Sequence, residues 1–278
     1  AWVVAGCVGF GGTCSAQIDS FHVMQIQQVI GGVNGDTGKQ AIQLRMRTAF
    51  QNQVQAARLR AWDAAGANPV MVIDFTTPVA NSNGGDTVLV TTSAFDGSTS
   101  PACVADFQMT NPIPASYMAA GRLTFEDDFG TIYWSLAWGG AGYTGSNLGA
   151  LTNSPTGNFG PPFAGPLPTT GVAALAFQGP FTAAAGANAT DYALTTGPAV
   201  FTNNAGANFT VSGGPPPCYV NCDASTISPI LNVNDFSCFL NNYAAGNSYA
   251  NCDASTIAPL LNVNDFTCFV NKYAAGCP

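Results

Sequence analysis

Asn221-Cys-Asp-Ala-Ser-Thr-Ile-Ser-Pro-Ile-Leu-Asn-Val-Asn-Asp-Phe-Ser-Cys-Phe-Leu-Asn-Asn-Tyr-Ala-Ala-Gly246 returns as Asn251-Cys-Asp-Ala-Ser-Thr-Ile-Ala-Pro-Leu-Leu-Asn-Val-Asn-Asp-Phe-Thr-Cys-Phe-Val-Asn-Lys-Tyr-Ala-Ala-Gly276. Five aligned positions differ (228/258, 230/260, 237/267, 240/270 and 242/272), and every change is mild, so the tail is a tandem duplication. A unit this short cannot bury an apolar face alone, which predicts that each copy packs on its twin.

Each unit opens with oxygen-bearing side chains at alternate positions, Asn221, Asp223 and Ser225 in the first and Asn251, Asp253 and Ser255 in the second. Asn232 with Asp235, and Asn262 with Asp265, follow before a helical pattern. A hard cation wants six to eight oxygens, and alternation wraps the backbone round it while a later carboxylate closes the shell. These ten residues are therefore the expected ligands of two calcium ions. Thr226 stands where an EF-hand loop has glycine, and extra residues before Leu231 predict a bulge around Pro229. With two carboxylates per loop, affinity should lie in the weak extracellular range, roughly 10⁻⁴–10⁻³ M. The plain alternative is a pair of Asn/Asp turns that hold no ion and rely on disulfides.

Phe236, Phe239, Leu240 and Tyr243 fall at i, i+3, i+4 and i+7, as do Phe266, Phe269, Val270 and Tyr273. That period predicts amphipathic helices, with Asp235 as N-cap and Gly246 as the left-handed terminator of the first. Their apolar face is the expected docking face. Six of the nine cysteines lie in this tail, which points to an oxidising, extracellular compartment. Symmetry suggests Cys222–Cys238 and Cys252–Cys268 within units and Cys218–Cys277 across the ends, although other pairings remain open. Zinc is disfavoured because no Cys-x-x-Cys occurs.

The Leu231-Asn-Val-Asn-Asp235 and Leu261-Asn-Val-Asn-Asp265 segments, the cysteines and the closing Tyr-Ala-Ala-Gly make the tail resemble the cysteine-containing dockerin-like modules of planctomycete secreted proteins. That resemblance implies calcium-dependent folding and docking onto a cohesin-like β-sandwich through the helix faces.

Upstream, Val211-Ser-Gly-Gly-Pro-Pro-Pro217 breaks the composition, two glycines followed by three prolines that stiffen the chain. The expected organisation is an apolar segment 1–20, a β domain 21–211, a linker 212–217 and the duplicated module 218–278. Residues 22–30, 41–47, 58–62, 70–75, 87–91, 122–125 and 131–138 read as strands, by alternation or as short apolar runs. Asn34-Gly35 and Asn83-Gly-Gly-Asp86 punctuate them as turns. Many short strands predict a β-sandwich, and the Gly-, Pro- and Asn-rich stretch 139–171 reads as a surface excursion. Ala41-Ile-Gln-Leu-Arg45, Trp62-Asp-Ala-Ala-Gly66, Gly85-Asp-Thr-Val-Leu-Val90 and Asp191-Tyr-Ala-Leu194 are similar to bacterial lamin-tail-like domains. The resemblance implies an immunoglobulin-like sandwich that binds partners and catalyses nothing; Gln43 replaces that family's usual acidic residue.

Only 8% of residues are charged, the net charge is −8, and hydrophobic residues reach 47%, so a core is affordable while nucleic acid and anionic membranes are poor partners. The apolar start, Ala1 to Phe10, falls short of the about 20 residues that span a bilayer, so no membrane insertion is expected. It reads as mature chain, either inserted in its own sheet or donated as a strand to a neighbour. One histidine, His22, and one glutamate, Glu126, leave little for acid–base catalysis, and no nucleophile motif is present. His22 reads as a satisfied strand residue, Glu126-Asp127-Asp128 as an exposed acidic hairpin tip, and Trp62, Trp134 and Trp138 as core. Asn188-Ala-Thr190 and Asn208-Phe-Thr210 are glycosylation sequons.

Taken together, these features predict a secreted non-enzyme whose tail docks on the sandwich of another copy of itself, giving a calcium-stabilised extracellular fibre. The alternatives are an adhesion or glycan-binding protein held on a separate cohesin, and a secreted hydrolase.

Overall fold

The computed structural model describes residues 20–212, 219–223, 225, 229–253, 255–256 and 258–276. The chain divides into two units, Ala1–Gly213 and Gly214–Pro278. The segment 1–20 apart from Ser20, the linker apart from Ser212, Thr226 and the Cys218–Cys277 pair lie outside the described residues, as do Cys7 and Cys14.

The first unit is mostly β. Its strands are β1 (Met24–Ile30), β2 (Ala41–Met46), β3 (Ala57–Trp62), β4 (Val70–Asp74), β5 (Thr87–Thr91), β6 (Thr99–Ser100), β7 (Phe107–Gln108), β8 (Gly121–Asp127) and β9 (Ile132–Trp138). The short strands β10 (Leu175–Phe177), β11 (Tyr192–Leu194), β12 (Val200–Thr202) and β13 (Asn208–Val211) complete it, with one turn of helix, α1 (Asn188–Asp191). They form a six-stranded sheet, order β11-β10-β1-β2-β5-β7, a four-stranded sheet, β4-β3-β8-β9, and a three-stranded sheet, β12-β13-β6.

Period-two patterning explains which face each strand buries. Ile42, Leu44 and Met46 of β2 and Val88 and Val90 of β5 join Leu59, Leu123, Phe125 and Trp134 of the four-stranded sheet in one hydrophobic cluster. The intervening Ala41 and Leu89 point the other way and meet Phe201, Phe209 and Val211 of the three-stranded sheet in a second cluster. Strand β5 is buried on both faces for that reason. At the Asn34-Gly35 turn both residues take positive φ, 51° and 90°, the conformation that this pair tolerates best.

Several expectations need correction. The stretch 139–171 is not a surface excursion: Phe159, Leu167, Asn147 and Asn153 are buried in it. Its backbone is held by side-chain amides and scattered bridges instead of a ladder, so no alternation marks it. Asn153 Nδ2 donates to Tyr133 O at 2.9 Å and to His22 O at 2.7 Å, and Arg47 Nη1 donates to Asn153 Oδ1 at 2.7 Å. Glu126 is not at an exposed tip. It is fully buried on the outer face of the four-stranded sheet, where Arg60 donates both Nε and Nη2 to its two oxygens, the latter at 2.6 Å. Arg58 lies opposite Glu126 in the β3–β8 register and reaches it at 3.7 Å. The hairpin tip is Asp127 to Gly130, one residue further on.

Trp134 and Trp138 are core, but Trp62 lies half-buried on the outer face, with the Arg60 guanidinium 4.6 Å from its ring centroid. His22 is satisfied, its Nδ1 2.7 Å from Ser20 Oγ and its ring against Tyr133. The Asn188 side chain is buried: its Oδ1 accepts from Ala137 N at 2.9 Å and Asn147 Nδ2 at 2.7 Å, and its Nδ2 donates to Ser135 O at 3.0 Å. Asn208 is exposed. Cys103 is a buried free thiol, pushed up to about 12 by burial and by the carboxylates of Asp96 and Asp106.

Candidate functional site

Two helices, α2 (Val233–Ala244) and α3 (Val263–Ala275), organise the second unit. Both begin earlier than the apolar period alone suggests. Asn232 and Asn262, not Asp235 and Asp265, are the N-caps, each accepting from the backbone N–H two residues on at 2.8 Å. Asp235 and Asp265 sit at the third helical position and accept from the N-cap backbone N–H at 2.8 Å, closing a capping box in each repeat. Helix α2 gives way to Gly246 at φ 71°, the left-handed residue expected there, and Gly276 plays that part after α3 at φ 82°.

The loops place the remaining oxygen donors together. Ser225 N donates to Asn221 Oδ1 at 3.0 Å and to Asp223 Oδ1 at 2.9 Å, drawing those two side chains to one point. Asp223 N donates to Asp235 Oδ1 at 3.2 Å, which brings the head of the loop to the helix start. The second loop repeats the pattern at Ser255, Asn251, Asp253 and Asp265, with the same distances. Asp235 and Asp265 are fully buried, whereas Asp223 and Asp253 are exposed. The backbone N–H of Ser225 holds the Asp223 carboxyl below its ordinary range. For Asp265, burial pushes upward, but donation from the backbone of Asn262 and Asp253 outweighs it, and the net direction is down.

The described loop side chains that the hydrogen bonds draw together, Asn221, Asp223, Ser225 and Asp235 with Asn251, Asp253, Ser255 and Asp265, all offer oxygen: amide, carboxylate or hydroxyl. Asn232 and Asn262 also cap the helices, and the Asn232 side chain hydrogen-bonds that of Asp223, so the first loop gathers all five of its expected ligands and the second gathers Asn251, Asp253, Ser255 and Asp265 with Asn262 at the helix start. Among the described residues no group of three or more His, Cys, Asp or Glu is assembled, so any cation here would be held by two carboxylates with neutral oxygens.

Cys222–Cys238 and Cys252–Cys268 are bonded, each pinning a loop to the middle of the helix that follows it. Two disulfides point to an oxidising, extracellular environment. Among the described residues, no helix is long and apolar enough to cross a membrane.

The expected docking face divides in two. Phe239 and Phe269 are fully buried and stack on each other, and Phe236, Tyr243 and Tyr273 pack round them. Phe239 and Phe269 join repeat to repeat and are closed to a partner, while Phe236, Tyr243 and Tyr273 stay half-buried at the edge of that joint. The apolar period marks where each helix meets its twin, which is why it could not by itself mark a docking face. Leu240 and Val270 do face solvent, at 42% and 39% exposure, and Phe266 at 36% lies on the border.

The sequence reading missed a second joint. Tyr219 and Tyr249 stack at 5.0 Å; Tyr219 Oη donates to Tyr249 O at 2.8 Å, and Tyr249 Oη donates back to Tyr219 O. Each stands two places before the first loop asparagine of its repeat, so extending the alignment upstream by two residues would have found the pair.

No protein-family model matches this chain, and no curated protein matches it.

Proposed function

We propose that the chain is a secreted, non-catalytic structural protein: an immunoglobulin-like β-sandwich of the lamin-tail type carrying a dockerin-like, calcium-stabilised tail. The tail docks on the β unit of the next copy, and repetition of that contact builds an extracellular fibre. A contact between two different surfaces of one chain is heterologous and need not close. The hydrophobic cluster shared by the six- and four-stranded sheets supports the sandwich.

The observation that carries this reading is the duplication of exposed apolar residues. Val233 and Val263 are 74% and 71% exposed, Ile230 and Leu260 are 41% and 51%, and Leu240 and Val270 repeat the pattern. Both copies of the unit keep these residues at equivalent places on the outside, although their buried counterparts already satisfy the core. Recurring exposed apolar residues beside a charge-poor surface fit a protein-binding face. The β unit offers a complement at the β8–β9 turn, where Phe129 is 97% exposed.

Calcium is supported by the oxygen-only loops. Asn221, Asp223, Ser225, Asn232 and Asp235, with Asn251, Asp253, Ser255, Asn262 and Asp265, would hold the two ions; bound calcium would fix each loop against its helix and so the outer apolar residues in position.

Electron microscopy of the native material with and without a chelator tests the reading. Ordered filaments that dissolve on chelation are expected. Monodisperse monomers in both conditions would sink it, and binding to an unrelated cohesin alone would move the docking partner elsewhere.

A further inference from the structure

A polar cavity of about 260 Å³ opens on the outer face of the six-stranded sheet, next to the three-stranded sheet that covers part of that face. It is lined by Gln27, Gln43 and Arg45 of β1 and β2, by Asp86 at the head of β5, and by Thr202 and Asn203 at the end of β12. Strand β1 bulges here: its register shifts between Ile26 and Gln28, leaving Gln27 as the extra residue. Bulges re-aim side chains and recur beside binding sites. Gln27 lies next to Gln43, whose Nε2 donates to its Oε1 at 2.8 Å.

Three lining groups keep hydrogen-bonding capacity. Among the described residues Gln27 Nε2, Arg45 Nη1 and Asp86 Oδ1 have no partner. Arg45 spends Nη2 on Gly179 O at 3.0 Å and Nε on the side-chain oxygen of Gln25 at 2.7 Å, and Asp86 spends Oδ2 on Asn83 N at 2.6 Å. Arg45 and Asp86 line the same cavity without forming an ion pair, each keeping one free atom, and their opposite charges cancel. A ligand that suits them is neutral and carries groups that both donate and accept, which is the property of hydroxyls. The cavity falls just below the about 300 Å³ at which drug-sized pockets begin, and so suits one small ring. Beside it Phe181, 37% exposed, packs against Gly85 of the cavity lining: a Cβ there would stand 3.6 Å from its ring. That ring offers an apolar face to the C–H side of a sugar.

We infer that this cavity binds a single ring of a neutral sugar, with Asp86 and Gln27 bonding its hydroxyls, Arg45 donating to a ring or hydroxyl oxygen, and Phe181 carrying its apolar face. The site belongs to the β unit and stands whether or not the tail builds a fibre.

Saturation-transfer difference NMR on the full chain, with glucose, galactose, mannose and N-acetylglucosamine as probes, tests it. At least one should show ring-proton saturation, with a dissociation constant on the order of millimolar for so open a site. Asp86→Asn and Phe181→Ala should each weaken that binding about tenfold while the thermal transition stays in place. Should Asp86→Asn fail to fold, Phe181→Ala on the exposed rim still decides. The inference is overturned if none of the four sugars binds, if binding is unchanged in the folded variants, or if only glucuronate or glycine, offered as charged controls, is bound.

Discussion

The rings of Phe239 and Phe269 lie 4.1 Å apart between centroids and 16° from parallel, each fully buried. They are equivalent residues of the two repeats, so the duplication closes its core on itself. Truncating either should cost the module roughly 3–5 kcal/mol, the usual loss for a buried phenylalanine. Leu240→Ser or Val270→Ser, one residue along, should shift stability by no more than about 0.5 kcal/mol yet weaken assembly. Urea unfolding of the four variants, set beside their sedimentation, checks both halves. If Leu240→Ser unfolds the module as Phe239→Ala does, the division into core and outer face is wrong.

Acid should loosen the tail. Asp223 and Asp265 have folded pKa values below the ordinary carboxylate value, so their stabilisation is present above the unfolded pKa and is lost as pH falls through the folded one. Asp106 in the β unit runs the other way: burial pushes its carboxyl up, so its contribution is present at low pH and is lost as pH rises through the folded value. Calorimetry between pH 2 and pH 7, with chelator present, should show the transition of the tail falling in acid, and Asp265→Asn should flatten that fall.

Reduction should act on the tail, where both disulfides among the described residues lie. The Cys222–Cys238 and Cys252–Cys268 bonds each span a sequence separation of 16, and closing a loop of that order stabilises by roughly 3 kcal/mol. Replacing either pair by alanine should lower the unfolding free energy of the tail by that amount; a midpoint unmoved by both double variants would show that the helix core alone suffices.

Cys103 should resist alkylation. With its thiol pushed up to about 12, the thiolate fraction at pH 8 is on the order of 10⁻⁴, and thiolate is the reactive species. Iodoacetamide should label it only when urea opens the β unit. Rapid labelling of the native chain at this residue, read by mass spectrometry, would contradict the burial.

The tail was legible because its pattern is written twice. Alternation placed Asn221, Asp223 and Ser225 in one loop, and equal spacing named the two disulfides. The same periodicity misled at Phe239, because a helix facing its twin and a helix facing a partner carry the same apolar stripe. In the β unit the long strands announced themselves through residues such as Ile42, Leu44 and Met46. Strands β10 to β13 are three or four residues long, too short for a period to emerge, and they are placed by contacts far away in sequence. Gln43 shows the limit. Nothing local predicts that a glutamine will be 2% exposed; its burial follows from Thr202, whose backbone N–H donates to its Oε1 at 2.6 Å across 159 residues of chain.

The three side-chain hydrogen bonds of Asn188 bear on how the protein can be made. Its Nδ2, the atom to which an oligosaccharide would be attached at that sequon, is the one that donates to the Ser135 carbonyl inside the β unit. A secretory host that modifies nascent chains would therefore tag some molecules at a place that must later close, and those molecules could not mature. Production in a host without that machinery, or an Asn188-Ala-Thr190→Ala change that keeps the asparagine and deletes the sequon, removes the conflict and should raise the folded yield. Asn208, out on β13, poses no such obstacle.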